Sequence, residues 1–178
     1  AGNADNLLLN SESFSLETRK QMYLTIYEES MWLHNLVENI LAITKIEEGK
    51  MNFNYTTELI NDVIIEAIKR IKNNKIKHDI IYKSNYEMVL VKIDAKLIVQ
   101  VIINLLDNAI KYSNEGTQIK IEAIQKDKKI YVTISDNGFG IPDDIKPYVF
   151  DRFYTGVVIA DGRKSLGLGL ALCKSIIK

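Results

Sequence analysis

The hydrophobic pattern of the chain changes character at Gly49, from one long helical period to short mixed runs, and that change limits what the chain can become. Residues 15–48 contain neither Gly nor Pro. Ser15 is suited to cap a helix, Glu17 to sit in its first turn and Gly49 to stop it. Ile26, Leu33 and Ile40 recur seven apart, as do Leu36 and Ile43, and Val37 and Leu41 widen the stripe. That spacing predicts one long helix whose apolar seam meets another helix in a bundle. The preceding AGNADNLLL reads as the tail of a second helix, and NSESFS as the loop between them. A plain amphipathic helix packed on its own domain is the simpler alternative. The spacing favours a helical hairpin that pairs between chains.

Beyond Gly49 the elements become short. Strand-like runs lie at 52–55, 78–83, 88–92, 117–125 and 129–135, and helical patterns at 57–72, 94–112 and 166–178. The last two strands alternate well: Ile119, Ile121 and Ala123 share one face, then Ile130, Val132 and Ile134 follow a polar DKK turn. This mixture, without strict βαβ alternation, predicts an α+β fold: an α/β sandwich with a mixed sheet and helices on one face. The expected domains are residues 1–49 and 50–178.

Composition removes several function classes. Lys plus Arg and Asp plus Glu both number 23, so a neutral chain gives no reason to expect nucleic acid or an anionic membrane as partner. Cys173 stands alone and fits a reducing compartment. No apolar run approaches the roughly 20 residues of a membrane span.

Three segments concentrate the unusual chemistry. In NLLDNAIKY, 104–112, Asn104 and Asn108 share a helix face, and Lys111 sits near it. Neutral amide oxygens suit a Mg²⁺ ion already carried by phosphates, lysine suits phosphate, and Tyr112 offers a ring face to a base. The bland alternative is an asparagine that satisfies a neighbouring loop. In SDNGFGIP, 135–142, Asp136 ends a strand, and Gly138 and Gly140 let the backbone approach a ligand closely. A carboxylate there can accept the exocyclic amine of adenine, although DNG is also a common turn triplet. In SLGLGLAL, 165–172, two glycines at a helix start expose N–H groups to an anion, or simply allow close helix–sheet packing.

An Asn-rich helix, then DxGxG after a hairpin, then GLGLAL opening a helix resembles the ATP-binding family shared by histidine kinases, DNA gyrase, the Hsp90 chaperones and the mismatch-repair ATPases. NLLDNAIKY resembles the kinase N box and DNGFG the first glycine box. VFDRFY, 149–154, resembles the phenylalanine box, and GLGL, 167–170, the second glycine box. ILAITKIEEG, 40–49, resembles the end of the second dimerisation helix of such kinases. SMWLHNLVENILAITKIEEG together with GRKSLGLGLALCKSI is similar to the potassium-responsive Kdp sensor kinases.

The resemblance implies a Bergerat-type sandwich that binds ATP with Mg²⁺. Asp136 would take the adenine amine, Asn104 and Asn108 the metal, and Lys111 a phosphate, with Tyr112 on the base. Gly138, Gly140 and Ile141 would shape the pocket, Phe150 and Phe153 would belong to its loop, and Arg163 would contact it from the lid. Gly167, Leu168 and Gly169 would cradle phosphates. Hydrolases of this superfamily place a water-activating glutamate where Asn104 stands, and an amide is no general base at neutral pH. The implied reaction is therefore transfer of the γ-phosphate to an acceptor histidine rather than hydrolysis. Asp107, one position from Asn108, falls on a different side of the helix and is not assigned as a base.

Two departures matter: Ser165 replaces the first glycine of the GxGLGL pattern, and neither His34 nor His78 lies in an H-E/D-x-x-x-P context. The resemblance thus implies that the acceptor is absent, that the chain starts after it, and that the chain stops before a further HGG turn and two closing strands. It also implies a second kinase chain as partner through the 15–48 helix, a response-regulator receiver domain as another, and a cytoplasmic location, with any membrane attachment outside this chain. The rival classes are a gyrase-type ATPase and a non-catalytic adenine-nucleotide module that regulates by binding.

Overall fold

The computed structural model describes residues 2–10, 13–72, 77–84, 88–156 and 166–177. They form two compact units, Ala1–Ala42 and Ile43–Lys178.

In the first unit, helix α1 (Gly2–Asn10) precedes the long helix α2 (Leu16–Glu47), which runs on into the second unit. Ser15 caps α2 as its side chain suggests: its Oγ accepts the Thr18 amide at 3.1 Å. Leu33, Val37, Ile40 and Leu41 of the seam are all exposed.

The second unit opens with the last turn of α2, where Ile43 is only 2 % exposed. The helix then closes on Gly49, whose φ of 65° lets its amide reach Ile46 O while the Lys50 amide reaches Lys45 O. This left-handed closure suits a residue without a side chain.

Strand β1 (Thr56–Leu59) feeds directly into helix α3 (Ile60–Lys72). Strands β2 (Asp79–Ser84) and β3 (Leu90–Ile93) and helix α4 (Ala95–Lys111) follow. The hairpin of β4 (Gln118–Lys126) and β5 (Lys129–Ser135) comes next, and helix α5 (Gly169–Ile177) ends the described chain. Strands β2, β4 and β5 make a mixed sheet in that order, β2 parallel and β5 antiparallel to β4. Among the described residues β1 and β3 form a separate antiparallel pair, beside the mixed sheet expected from sequence.

One expected strand is absent: 52–55 has no regular structure, and the pairing lies further on, with Thr56 opposite Ile93 and Leu59 opposite Leu90. Because 56–59 serve that strand, the helix expected at 57–72 starts only at Ile60. The residues before it are held otherwise. The Phe53 and Tyr55 rings stack at 5.6 Å, and the Asn54 amide donates to Asp94 Oδ2 at 2.9 Å. Pattern alone cannot reveal such a side-chain anchor.

The core lies between the three-stranded sheet and α3 and α4. Ile64, Leu106, Ile119 and Ile121 are fully buried in it. The alternation of β4 explains this arrangement: Ile119, Ile121 and Ala123 face the helices, and Ile121 and Ala123 pair with Ile134 and Val132 of β5. Asp94 fixes the start of α4 against this layer, since its Oδ1 also accepts the Leu97 amide. Asp94→Ala therefore removes a helix cap and the Asn54 anchor together. It should lower stability by about 1–2 kcal/mol, read as a lower denaturant midpoint at unchanged slope.

Candidate functional site

The last two turns of α4 bring Asn104, Leu105, Asn108 and Ala109 along the helix, and Tyr112 caps its end by donating its amide to Asn108 O at 2.9 Å. β5 delivers Asp136 to the same place. The loop after it crosses the end of α4, with the Phe139 amide donating to Tyr112 O at 3.0 Å. Gly138 permits that crossing, because a β-carbon there would lie 2.2 Å from the Tyr112 carbonyl oxygen. Asp136 braces the turn: its Oδ1 accepts the Gly138 amide at 2.8 Å, leaving Oδ2 for another donor. The carboxylate is exposed rather than buried.

The third wall comes from the entry to α5. Gly167 has a φ of +63°, and a β-carbon on it would lie 2.3 Å from Tyr154 O. Its carbonyl accepts the Phe153 amide at 3.0 Å, fastening the 149–154 segment to the start of α5. Phe153 itself sits at φ 61°, a conformation side chains rarely adopt.

These three walls enclose a cavity of about 310 Å³. Of the residues expected from sequence, Asn108, Tyr112, Asp136, Gly140, Ile141, Gly167 and Gly169 line it. Leu105, Ala109, Ile134, Ile145, Val149, Tyr154, Gly156 and Leu170 also line it, and none of these was singled out from sequence. Most are apolar and indistinguishable from core residues before folding. Val149 and Tyr154 lay inside the recognised VFDRFY segment and Leu170 inside GLGL, and of the three only Tyr154, with its aromatic ring, offered a signal of its own.

Other expected residues lie off the cavity wall. Gly138 acts through the loop crossing, and Leu168 is buried. Phe150 lies beneath Lys174, whose Nζ is 5.9 Å from the ring centroid, and Phe153 is 62 % exposed. Lys111 is paired at 2.7 Å with Asp107, its neighbour one turn back along α4. Asn104 lies under the first turn of α5, about 3.7 Å from where a Gly169 β-carbon would stand. Its Nδ2 is buried without a hydrogen-bond partner. Beside it, burial pushes the Cys173 thiol up to about 11, the Asn104 amide pulling partly the other way, so the thiol stays protonated at neutral pH. Arg163 lies outside the described residues, as does Ser165. His34 is exposed on α2, and His78 directly precedes β2.

The profile of the histidine kinase-, DNA gyrase B- and HSP90-like ATPase family matches residues 93–178, the part of the chain that builds this cavity. The sensor protein KdpD of Clostridium acetobutylicum is 42% identical over 99% of this chain, which spans only 20% of KdpD. The catalytic domain of histidine kinase ThkA is 32% identical, with a TM-score of 0.60, over 70% of this chain and 80% of that domain. The chain belongs to the histidine kinases. ThkA solved in complex with the response regulator TrrA aligns with 99% of this chain and 49% of ThkA, at 26% identity and a TM-score of 0.71. Among sensor histidine kinases of this kind, the α+β catalytic fold with helices on the sheet is the expected architecture, and this chain has it. No described helix is long and apolar enough to cross a membrane.

Proposed function

We propose that the second unit binds Mg-ATP in the cavity between α4, the 136–142 loop and the start of α5, and presents the γ-phosphate to an acceptor histidine other than His34 and His78. The observation that carries this reading is the meeting of Asp136, Tyr112 and Asn108 with the glycine-bearing entry of α5 around one cavity. Asp136 Oδ2 accepts the adenine amine and so selects adenine over guanine. Tyr112 and Ile141 cover the base. The first amides of α5 and the backbone at Gly167 face the phosphates, where a helix start favours negative charge.

The donor set fits a metal carried in by phosphates. Among the described residues, no group of three or more acidic, His or Cys side chains exists that could hold an ion unaided. Asn108 reaches the cavity and would offer its amide oxygen, and Asn104 stands one turn behind it on the same helix, where its own amide oxygen is the group that would serve the ion. Mg²⁺, when bound with the triphosphate, supplies neutralisation of phosphate charge. Lys111 is held near the helix end by Asp107, which sets its ammonium for the phosphates without burying a lone charge.

Asn104, in place of a general base, separates this reading from a gyrase-type ATPase, since an amide cannot take a proton from water at neutral pH. Catalysis then rests on positioning and charge neutralisation. The likeness to KdpD supports potassium sensing by the protein to which this unit contributes. The ThkA–TrrA complex supports a response-regulator receiver domain as partner. The exposed seam of α2 supports a helical dimerisation element over residues 1–49 that pairs with a second chain.

Asn108→Ala tests the metal assignment. Titration calorimetry should show a tenfold or greater loss of Mg-ATP affinity, about 1.4 kcal/mol, with adenosine binding in the absence of metal nearly unchanged. Equal losses for both ligands would make Asn108 a structural residue.

A further inference from the structure

The end of α2 and the 149–154 segment are joined by an ion pair that the nucleotide site does not need. Arg152 Nη2 pairs with Glu47 Oε1, tying that segment to the final residue of the long helix. The turn of α2 that carries Glu47 is itself fixed, by the burial of Ile43 and by the left-handed closure at Gly49. The same segment also belongs to the cavity wall. Val149 and Tyr154 line it, and the Phe153 amide holds Gly167 O at the entry to α5. Six consecutive residues therefore touch the end of α2 at one position and the cavity wall at the positions flanking it. The left-handed backbone at Phe153 persists only while its surroundings hold it, so the segment has a strained geometry that depends on these anchors.

We propose that the Glu47–Arg152 pair is a latch through which α2 sets the order of the cavity wall, so that displacing the end of α2 weakens nucleotide binding. The proposal rests on the reading of the cavity as the ATP site. With the latch closed, the 149–154 wall is ordered before ligand arrives. With it open, binding must order that wall, and the ordering entropy is subtracted from affinity. Linkage makes the effect reciprocal: nucleotide in the cavity favours the closed latch and so steadies the end of α2.

The test uses the full chain with Glu47→Gln, Arg152→Gln, the double variant and the charge-swapped pair Glu47→Arg with Arg152→Glu. Both side chains are about half exposed, so these changes leave the core alone. Each single variant should weaken Mg-ATP binding about two- to fivefold, the range open to a half-exposed ion pair. The double variant should be no worse than either single one, and the swapped pair should recover most of the loss. Hydrogen exchange without nucleotide should show the Phe153 and Lys50 amides exchanging faster in both single variants. Losses that add in the double variant, or unchanged exchange at Phe153, would overturn the latch. If the wild-type chain bound no Mg-ATP, the proposed function would fail, and the exchange measurements would still decide the latch.

Discussion

Gly138→Ala should abolish measurable ATP binding while leaving the sheet and α3 folded. The β-carbon would stand 2.2 Å from the Tyr112 carbonyl oxygen and 2.7 Å from Asp136 Oδ1, so two walls of the cavity must separate. Neither obstacle can yield cheaply. The first is backbone at the end of α4, and the second is the carboxylate proposed to read adenine. Moving the loop also removes the Phe139–Tyr112 hydrogen bond, which contributes about 0.5–1.5 kcal/mol. A combined distortion above about 3 kcal/mol corresponds to a more than hundredfold loss of affinity. The matched control is Gly140→Ala: no atom lies within 4 Å of a β-carbon there, although its φ of +70° strains any side chain. Calorimetry with Mg-ATP, backed by circular dichroism, should find Gly138→Ala folded and silent and Gly140→Ala weakened but binding. Equal and modest effects at both sites would mean that the crossing of the loop over Tyr112 does not shape the site.

Asp136→Asn should cut ATP affinity by tenfold or more, with a much smaller effect on the fold. The substitution keeps an oxygen able to accept the Gly138 amide, so the turn is retained. At the other position it puts an amine against the adenine amine, where two donors meet and neither finds an acceptor. An unmatched polar group of this kind costs about 1–3 kcal/mol, and 1.4 kcal/mol is a tenfold change. Exposure of Asp136 in the ligand-free cavity moderates the effect towards the lower end, because water can reach the pair. The preference for ATP over GTP should shrink at the same time. An Asp136→Asn chain that binds ATP normally and still rejects GTP would remove Asp136 from adenine recognition.

How much of this site was readable before folding depended on whether the signal was local. Asn108, Tyr112, Asp136 and Gly167 were legible because each lies in a short segment with its own chemistry. Their convergence needed the hairpin register that sets Ile121 opposite Ile134 and so brings Asp136 to the end of α4. Lys111 carries two local signals at once: its charge suits a phosphate, and its i,i+4 spacing from Asp107 suits the ion pair that the structure shows. Ile145 was invisible, since an apolar residue on a cavity wall and one in a core look alike in sequence, and Val149 and Leu170, though inside the VFDRFY and GLGL segments, carried no chemistry of their own to single them out. The displaced first strand has a different cause. Residues 52–55 alternate as a strand should, but the partner strand meets the next four residues, and only the antiparallel pairing with Leu90–Ile93 decides that register.

Transfer without hydrolysis is the central claim, and one measurement addresses it directly. The chain is incubated with Mg²⁺ and γ-labelled ATP, with and without a separate polypeptide carrying an acceptor-histidine helix of a sensor kinase, and label and free phosphate are followed together. The prediction is acid-labile label on the added polypeptide, none on His34 or His78, and phosphate release at the background rate throughout. Steady phosphate release by the chain alone, lost on replacing Asn104 with Ala, would contradict it and place the protein with the hydrolases of its superfamily.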